Sequence, residues 1–238
     1  MAAQLRLVRR RISSVQSIAK ITRAQELIAS SRIVRAQQQM RAAEPYAREL
    51  TRAVEAVISR STNITHPFTT EPENPSRSAV LILTSDQGFA GAYNANVLRE
   101  SGRLRQTLRE QGIEPVLYVA GRKGIGWHRF RELEMQGSWS GFSAAPRYRN
   151  AQEISDALLD ALMPQYVAAR IFYALLEAAA AELASRRRAM KAATDNANDL
   201  LETLTREANN ARQAEITQEI SEIVGGANAL ADASATSE

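Results

Sequence analysis

Between Gln165 and Val224 the chain runs for sixty residues without a Gly or a Pro, with Pro164 just before the run and Gly225–Gly226 just after it. Pro is tolerated in the first turn of a helix and Gly supplies a left-handed stop, so this punctuation predicts one helix. At about 1.5 Å per residue it is roughly 90 Å long. A compact globule of this chain length is only roughly 45 Å across. Such a helix must extend beyond its own domain and meet something there. Leu176, Leu183, Met190, Ala197, Leu204 and Ala211 recur along it every seven residues, the spacing of a coiled-coil seam. The alanines among them imply close approach of a second helix.

The start of the chain offers that second helix. Ala2 to Glu44 is 43 residues without Gly or Pro, about 65 Å of helix. Leu5, Val8, Ile12 and Val15 step by 3, 4 and 3. Ile18, Ile21, Leu27 and Ile28 then shift the stripe, which predicts a stutter and a local, irregular supercoil. Pro45 is expected to kink or interrupt the helix, which resumes over Tyr46–Arg60 through Leu50, Val54 and Val57. Residues 1–66 carry 12 Lys/Arg against 4 Asp/Glu, and residues 164–238 carry 7 against 11. Neither end is stable as a lone half-apolar rod, and opposite charge favours pairing them antiparallel.

The middle of the chain reads differently. Ala79–Thr84 and Pro115–Ala120 are continuous apolar runs, the pattern of strands covered on both faces. A helix from about Ala92 to Gln111 lies between them, a short helix follows Gly121, and Ala151–Met163 is one more amphipathic helix. Trp139–Pro146 reads as loop. Alternating strand and helix imply a parallel, Rossmann-like sheet. Two or three strands are few for a doubly wound domain, so the sheet looks cut short around Met163–Pro164. The division is therefore 1–61 N-terminal coiled-coil helix, 62–78 linker, 79–163 partial α/β foot, 164–226 C-terminal coiled-coil helix and 227–238 flexible tail.

Composition narrows the chemistry. There is no Cys and there are only two His, which argues against thiolate chemistry and against a metal centre. No run approaches the length of a membrane span, and no apolar segment backs the N-terminal arginines as a secretory signal would require. Ser85-Asp86-Gln87-Gly88-Phe89-Ala90-Gly91 lies between a strand and a helix, where phosphate loops occur. It lacks the G-x-G-x-x-G order and a Walker Lys, so a structural turn is the better reading. Gly121–Gly126 is equally weak as a nucleotide loop. The acidic stretch with Asp195, Asp199, Glu202 and Glu207 and the triple arginine Arg186–Arg188 read as solvated helix faces. No catalytic site and no cofactor are expected.

Three separated segments resemble the gamma subunit of F-type ATP synthases: ISSVQSIAKITRAQELIASSR over Ile12–Arg32, SDQGFAGAYNAN over Ser85–Asn96, and AMKAATDNA over Ala189–Ala197 continued by ARQAEITQEISEIVGGA over Ala211–Ala227. The sequence has an actinobacterial flavour. The resemblance implies a non-catalytic rotor shaft, an antiparallel coiled coil turning inside a hexamer of alpha and beta subunits. It implies a foot against an epsilon subunit and the membrane c ring, at the cytoplasmic face of the cell membrane. Arg212, Gln213 and Thr217 would meet the beta-subunit catch loop, and Lys20 and Arg23 the beta lever region. Gly225, Gly226 and Ala227 would belong to the upper bearing. The family carries further strands before its long C-terminal helix, and these are absent here. A basic coiled-coil adaptor for nucleic acid or an acidic protein is the alternative class of function.

Overall fold

The computed structural model describes residues 2–60, 75–158 and 164–235. In chain order the elements are α1 (Ala2–Arg60), β1 (Arg77–Leu83), α2 (Tyr93–Glu110), β2 (Glu114–Ala120), α3 (Arg122–Phe130), β3 (Gly137–Trp139), α4 (Tyr148–Leu158) and α5 (Pro164–Ala235). They form two units, one of Met1–Gln25 with Met190–Glu238 and one of Glu26–Ala189. Most of the linker 62–78 and the junction at 159–163, including the Met163–Pro164 step, lie outside the described residues.

In the first unit the stripe of α1 turned away from water is Leu5, Val8, Ile12, Val15, Ala19 and Thr22, and that of α5 is Met190, Thr194, Ala197, Leu201, Leu204, Ala208 and Ala211. Both step by alternating threes and fours. The hydroxyl oxygens of Thr22 and Thr194 are hydrogen-bonded at 2.8 Å. Counted outward from that pair in the antiparallel sense, Ala19 faces Ala197, Val15 faces Leu201 and Ile12 faces Leu204. In that register small opposes small and large opposes large, the arrangement that close helix packing favours. The seven-residue seam of α5 is thus the packed face: Leu176, Leu183, Met190, Ala197 and Leu204 are buried and Ala211 is half-buried.

The stutter expected in α1 is not found. Ile18, Ile21, Leu27 and Ile28 are exposed. The three–four step passes instead through Ala19 and Thr22, and in the second unit through Glu26, Ala29, Ile33, Ala36, Met40, Ala43, Ala47 and Leu50. Nor does Pro45 break the helix; it lies inside α1 on the exposed side. One backbone bond is lost there, but the freed carbonyl faces water, and packing of the turns on either side carries the helix through. Gly225 and Gly226 do not stop α5 either. Neither has positive φ, and the helix continues to Ala235, into the segment expected to be a tail.

In the second unit β1, β2 and β3 form a parallel sheet in that order. Arg77 pairs with Glu114 through to Leu83 with Ala120, and Tyr118 with Gly137 through to Ala120 with Trp139. The third strand begins inside a segment with no apolar run, so periodicity did not mark it. Side chains alternate between two cores. Val80, Ile82, Leu117 and Val119 point to one face with Ile125, against Val97 of α2. Leu81, Leu83 and Ala120 point to the other, with Ile154 of α4 and Ile171 and Leu175 of α5. A separate face of α5, through Ala180 and Leu183, packs on Ile33 and Ala36 of α1.

Candidate functional site

In a doubly wound domain ligands bind beyond the carboxyl ends of the strands. Here that place is filled from within. The carboxylate of Asp86, at the end of β1, accepts hydrogen bonds from the N–H groups of Arg122 (3.1 Å), Gly141 (2.8 Å) and Ser143 (3.0 Å). It thereby ties together the loops after all three strands. Burial raises its pKa, but those three N–H bonds outweigh burial, and the net shift is downward. The N–H of Lys123 bonds to Ser85 O and that of Gly124 to Thr84 Oγ1. The start of α3 therefore has no spare donors for a phosphate. Its glycines serve packing: a Cβ on Gly121 would lie 2.1 Å from Thr84 O, and one on Gly124 2.7 Å from Thr84 Oγ1. Both loops are structural turns.

The rest of the Ser85–Gly91 loop is fastened to α5. Arg186 Nη2 donates to Glu182 Oε1 at 2.7 Å and to Gly88 O at 3.2 Å, and Ser185 Oγ donates to Ala90 O at 2.7 Å. Glu182 and Arg186 are only 1% and 6% exposed, whereas Arg187 and Arg188 lie in water. The triple arginine is thus not uniformly a solvated face; its first member is a buried clamp. Beside it the Tyr93 hydroxyl donates to Leu83 O, and burial together with Glu182 pushes its pKa up. At the tip of the clamped loop Phe89 is 75% exposed with a φ of 59°. A bulky residue held in left-handed backbone and offered to solvent is a contact candidate that sequence reasoning missed. The one signal in the sequence was an aromatic flanked by Gly88 and Ala90.

The residues expected to contact partners all lie in the first unit. Lys20 and Arg23 are exposed on α1, next to the outward-facing Ile18 and Ile21. Arg212, Gln213 and Thr217 are exposed on α5, with Thr217 Oγ1 donating to Gln213 O. The two groups are not brought together. In the antiparallel register their nearest members, Lys20 and Arg212, stand roughly 24 Å apart along the axis. Every described side chain from Ile216 to Ala227 is exposed. Helical spacing places Arg212, Gln213 and Thr217 on one face with Ile216, Ile220, Ile223, Val224 and Ala227, and Glu215, Glu219 and Glu222 in a stripe beside it, on the Arg212 side. Gly226 falls within the acidic stripe, Gly225 beyond its far edge and Ala227 on the apolar face, so the three residues of the expected bearing do not share one face. Among the described residues there is no cluster of metal-ligating side chains and no helix long and apolar enough to cross a membrane.

Comparison with known proteins bears on these surfaces. The family model described as ATP synthase matches residues 4–161 and 155–230. An ATP synthase gamma chain from Thermobifida fusca is 48% identical over 306 aligned residues, covering all of both chains, and one from Acidothermus cellulolyticus is 48% identical over 295, covering 97% and 98%. A chain in a cryo-EM structure of the Euglena gracilis mitochondrial ATP synthase, comprising OSCP, F1 and c-ring, superposes with a TM-score of 0.64 at 12% identity, covering 97% of this chain and 95% of that one. A chain of the Tetrahymena thermophila mitochondrial ATP synthase central stalk and c-ring superposes with a TM-score of 0.55 at 18% identity, covering 73% and 99%. The 238 residues here spread over 306 aligned positions, so about 68 positions are filled by the Thermobifida chain alone. The two stretches matched by the family model meet at 155–161, which puts the additional segment between α4 and α5.

Proposed function

This chain belongs to the ATP synthase gamma chain family, and from that membership we propose that it is the shaft of the central stalk. It carries rotation from a membrane c ring to a catalytic hexamer of alpha and beta subunits, and is itself non-catalytic. Supporting this is the antiparallel Thr22–Thr194 pairing of α1 with α5, beyond which α5 runs on with both an apolar and an acidic face exposed. A rod with unlike faces interacts differently with each subunit of a surrounding ring. Turning it shifts which subunit conformation is favoured, and through that shift the affinity for nucleotide. Arg212, Gln213 and Thr217 are proposed to touch the beta catch loop, and Lys20 and Arg23 the beta lever region. Ala227 is proposed to turn in an apolar upper bearing beside Gly225 and Gly226. The α/β region is the foot, facing an epsilon subunit and the c ring at the cytoplasmic face of the membrane. A basic adaptor for nucleic acid finds no support in this family membership.

The test is reconstitution. Purified alpha and beta subunits mixed with this chain are expected to give a complex that hydrolyses ATP, and a probe fixed to the foot is expected to rotate in steps. If the hexamer assembles and leaves this chain in solution, the proposal fails.

A further inference from the structure

β1 lies at the edge of its sheet but is built like a central strand. Its only strand partner among the described residues is β2. From Ala79 to Leu83 it has no charge and no Pro, the devices that normally blunt an edge. Both its faces are covered, one by Val97 of α2 and one by Leu175 of α5. Thr84 N bonds to Ala120 O, and Ser76 O accepts from Glu114 N. Even-numbered residues of β1 therefore direct their N–H and C=O toward β2, and odd-numbered residues direct theirs to the free edge. Ala79, Leu81 and Leu83 thus offer three N–H groups there, and Tyr93 already bonds the Leu83 carbonyl.

Helices α2 and α5 overhang this edge on either side. Between them runs a groove of about 880 Å³ floored by Val80–Leu83 and walled by Val97 and Leu104 of α2 and Ala174, Ala178 and Ala181 of α5. Small alanines on one wall leave width for a backbone. In the doubly wound order a fourth strand lies beside the first. The chain's relatives carry additional sequence between α4 and α5, where such a strand would leave and return.

We propose that this groove is a strand-accepting slot: an extended, apolar peptide supplied by another polypeptide, of the kind the relatives carry in cis, pairs with the free edge of β1. Main-chain bonds to Ala79, Leu81 and Leu83 give affinity, and the alanine wall and Leu104 select alternate apolar side chains. A second copy of the chain pairing β1 to β1 is a poor occupant, because the overhanging helices of each copy would collide before the edges met. The inference rests on the sheet and the family alignment and is independent of the rotor role.

The experiment uses the full chain and short synthetic peptides tiling the additional segment of the Thermobifida fusca protein. With the right peptide, amide exchange at Ala79, Leu81 and Leu83 is expected to slow at least about tenfold, while Val80, Ile82 and Thr84 change little. Leu81→Pro removes the middle donor of the edge, and Ala178→Trp fills the slot from α5. Each is expected to abolish binding, and the second serves if the first does not fold. The proposal is overturned if no peptide slows those three amides. It is also overturned if they are already protected in the free chain and it sediments as a dimer.

Discussion

At the scale of single residues, the loops of the α/β region hang on a few buried polar groups. Asp86→Asn replaces a carboxylate that accepts three N–H bonds with an amide that can accept at only one oxygen. It is expected to destabilise the fold by about 1–3 kcal/mol in urea titrations at neutral pH. Because the folded pKa of Asp86 lies below its ordinary 3.8, its contribution is present above that value and is lost as pH falls further. The mutant's acid limb below about pH 4 should therefore be shallower. His128 acts at a higher pH. It is fully buried, its Nδ1–H donates to Gly124 O, and burial holds its pKa below 6.5. The unfolded chain takes up that proton first, so stability is expected to fall as pH drops through 6.5, and His128→Leu should flatten that step. Arg186→Met leaves Glu182 buried and unpaired, with an expected cost of about 3–5 kcal/mol, while Glu182→Leu with Arg186→Met should cost less than the single change. None of this was legible in the sequence. Among three consecutive arginines only the one four residues after Glu182 turns inward, and that depends on a loop nearly a hundred residues away.

At the scale of elements, length and period were legible and interruptions were not. The seam of α5 lies where its heptad predicts, because Leu, Met and Ala at every seventh position leave one choice of buried face. The seam of α1 does not follow Ile18, Ile21, Leu27 and Ile28, which lie outside; its path runs through Ala19, Thr22 and Ala29. A coiled coil built on close approach buries its small residues, so hydrophobicity alone points to the wrong face. The helix breakers misled for a related reason: Pro45, Gly225 and Gly226 are costly in a helix, but each cost is small against the packing or continuity of the turns beside it. Gly225→Ala and Gly226→Ala separate the two readings. A Cβ at either position meets nothing within 4 Å. In a continuing helix each is expected to add about 1 kcal/mol of local stability, seen as slower amide exchange around Ile223. At a left-handed stop the same changes would destabilise. Pro45→Ala, which restores a helical hydrogen bond, is expected to stabilise by about 1–3 kcal/mol in urea.

At the scale of the whole molecule, the unequal treatment of its surfaces is the feature that matters. The exposed end of α5 does nothing for the fold, so Arg212→Ala with Gln213→Ala should leave the thermal midpoint of the free chain within the range of neutral surface changes, about 0.5 kcal/mol. In the reconstituted complex the same pair is expected to lower ATP hydrolysis severalfold; unchanged turnover would remove these residues from the proposed catch. The shortness of the sheet was legible as a missing count of strands, whereas the slot it leaves beside β1 needed coordinates. Asp86 reaches furthest at this scale. A doubly wound domain offers phosphate a berth above its strands, and here a carboxylate already lies in it. In a subunit proposed to turn among nucleotide-binding neighbours, that one berth is closed to phosphate by the fold itself.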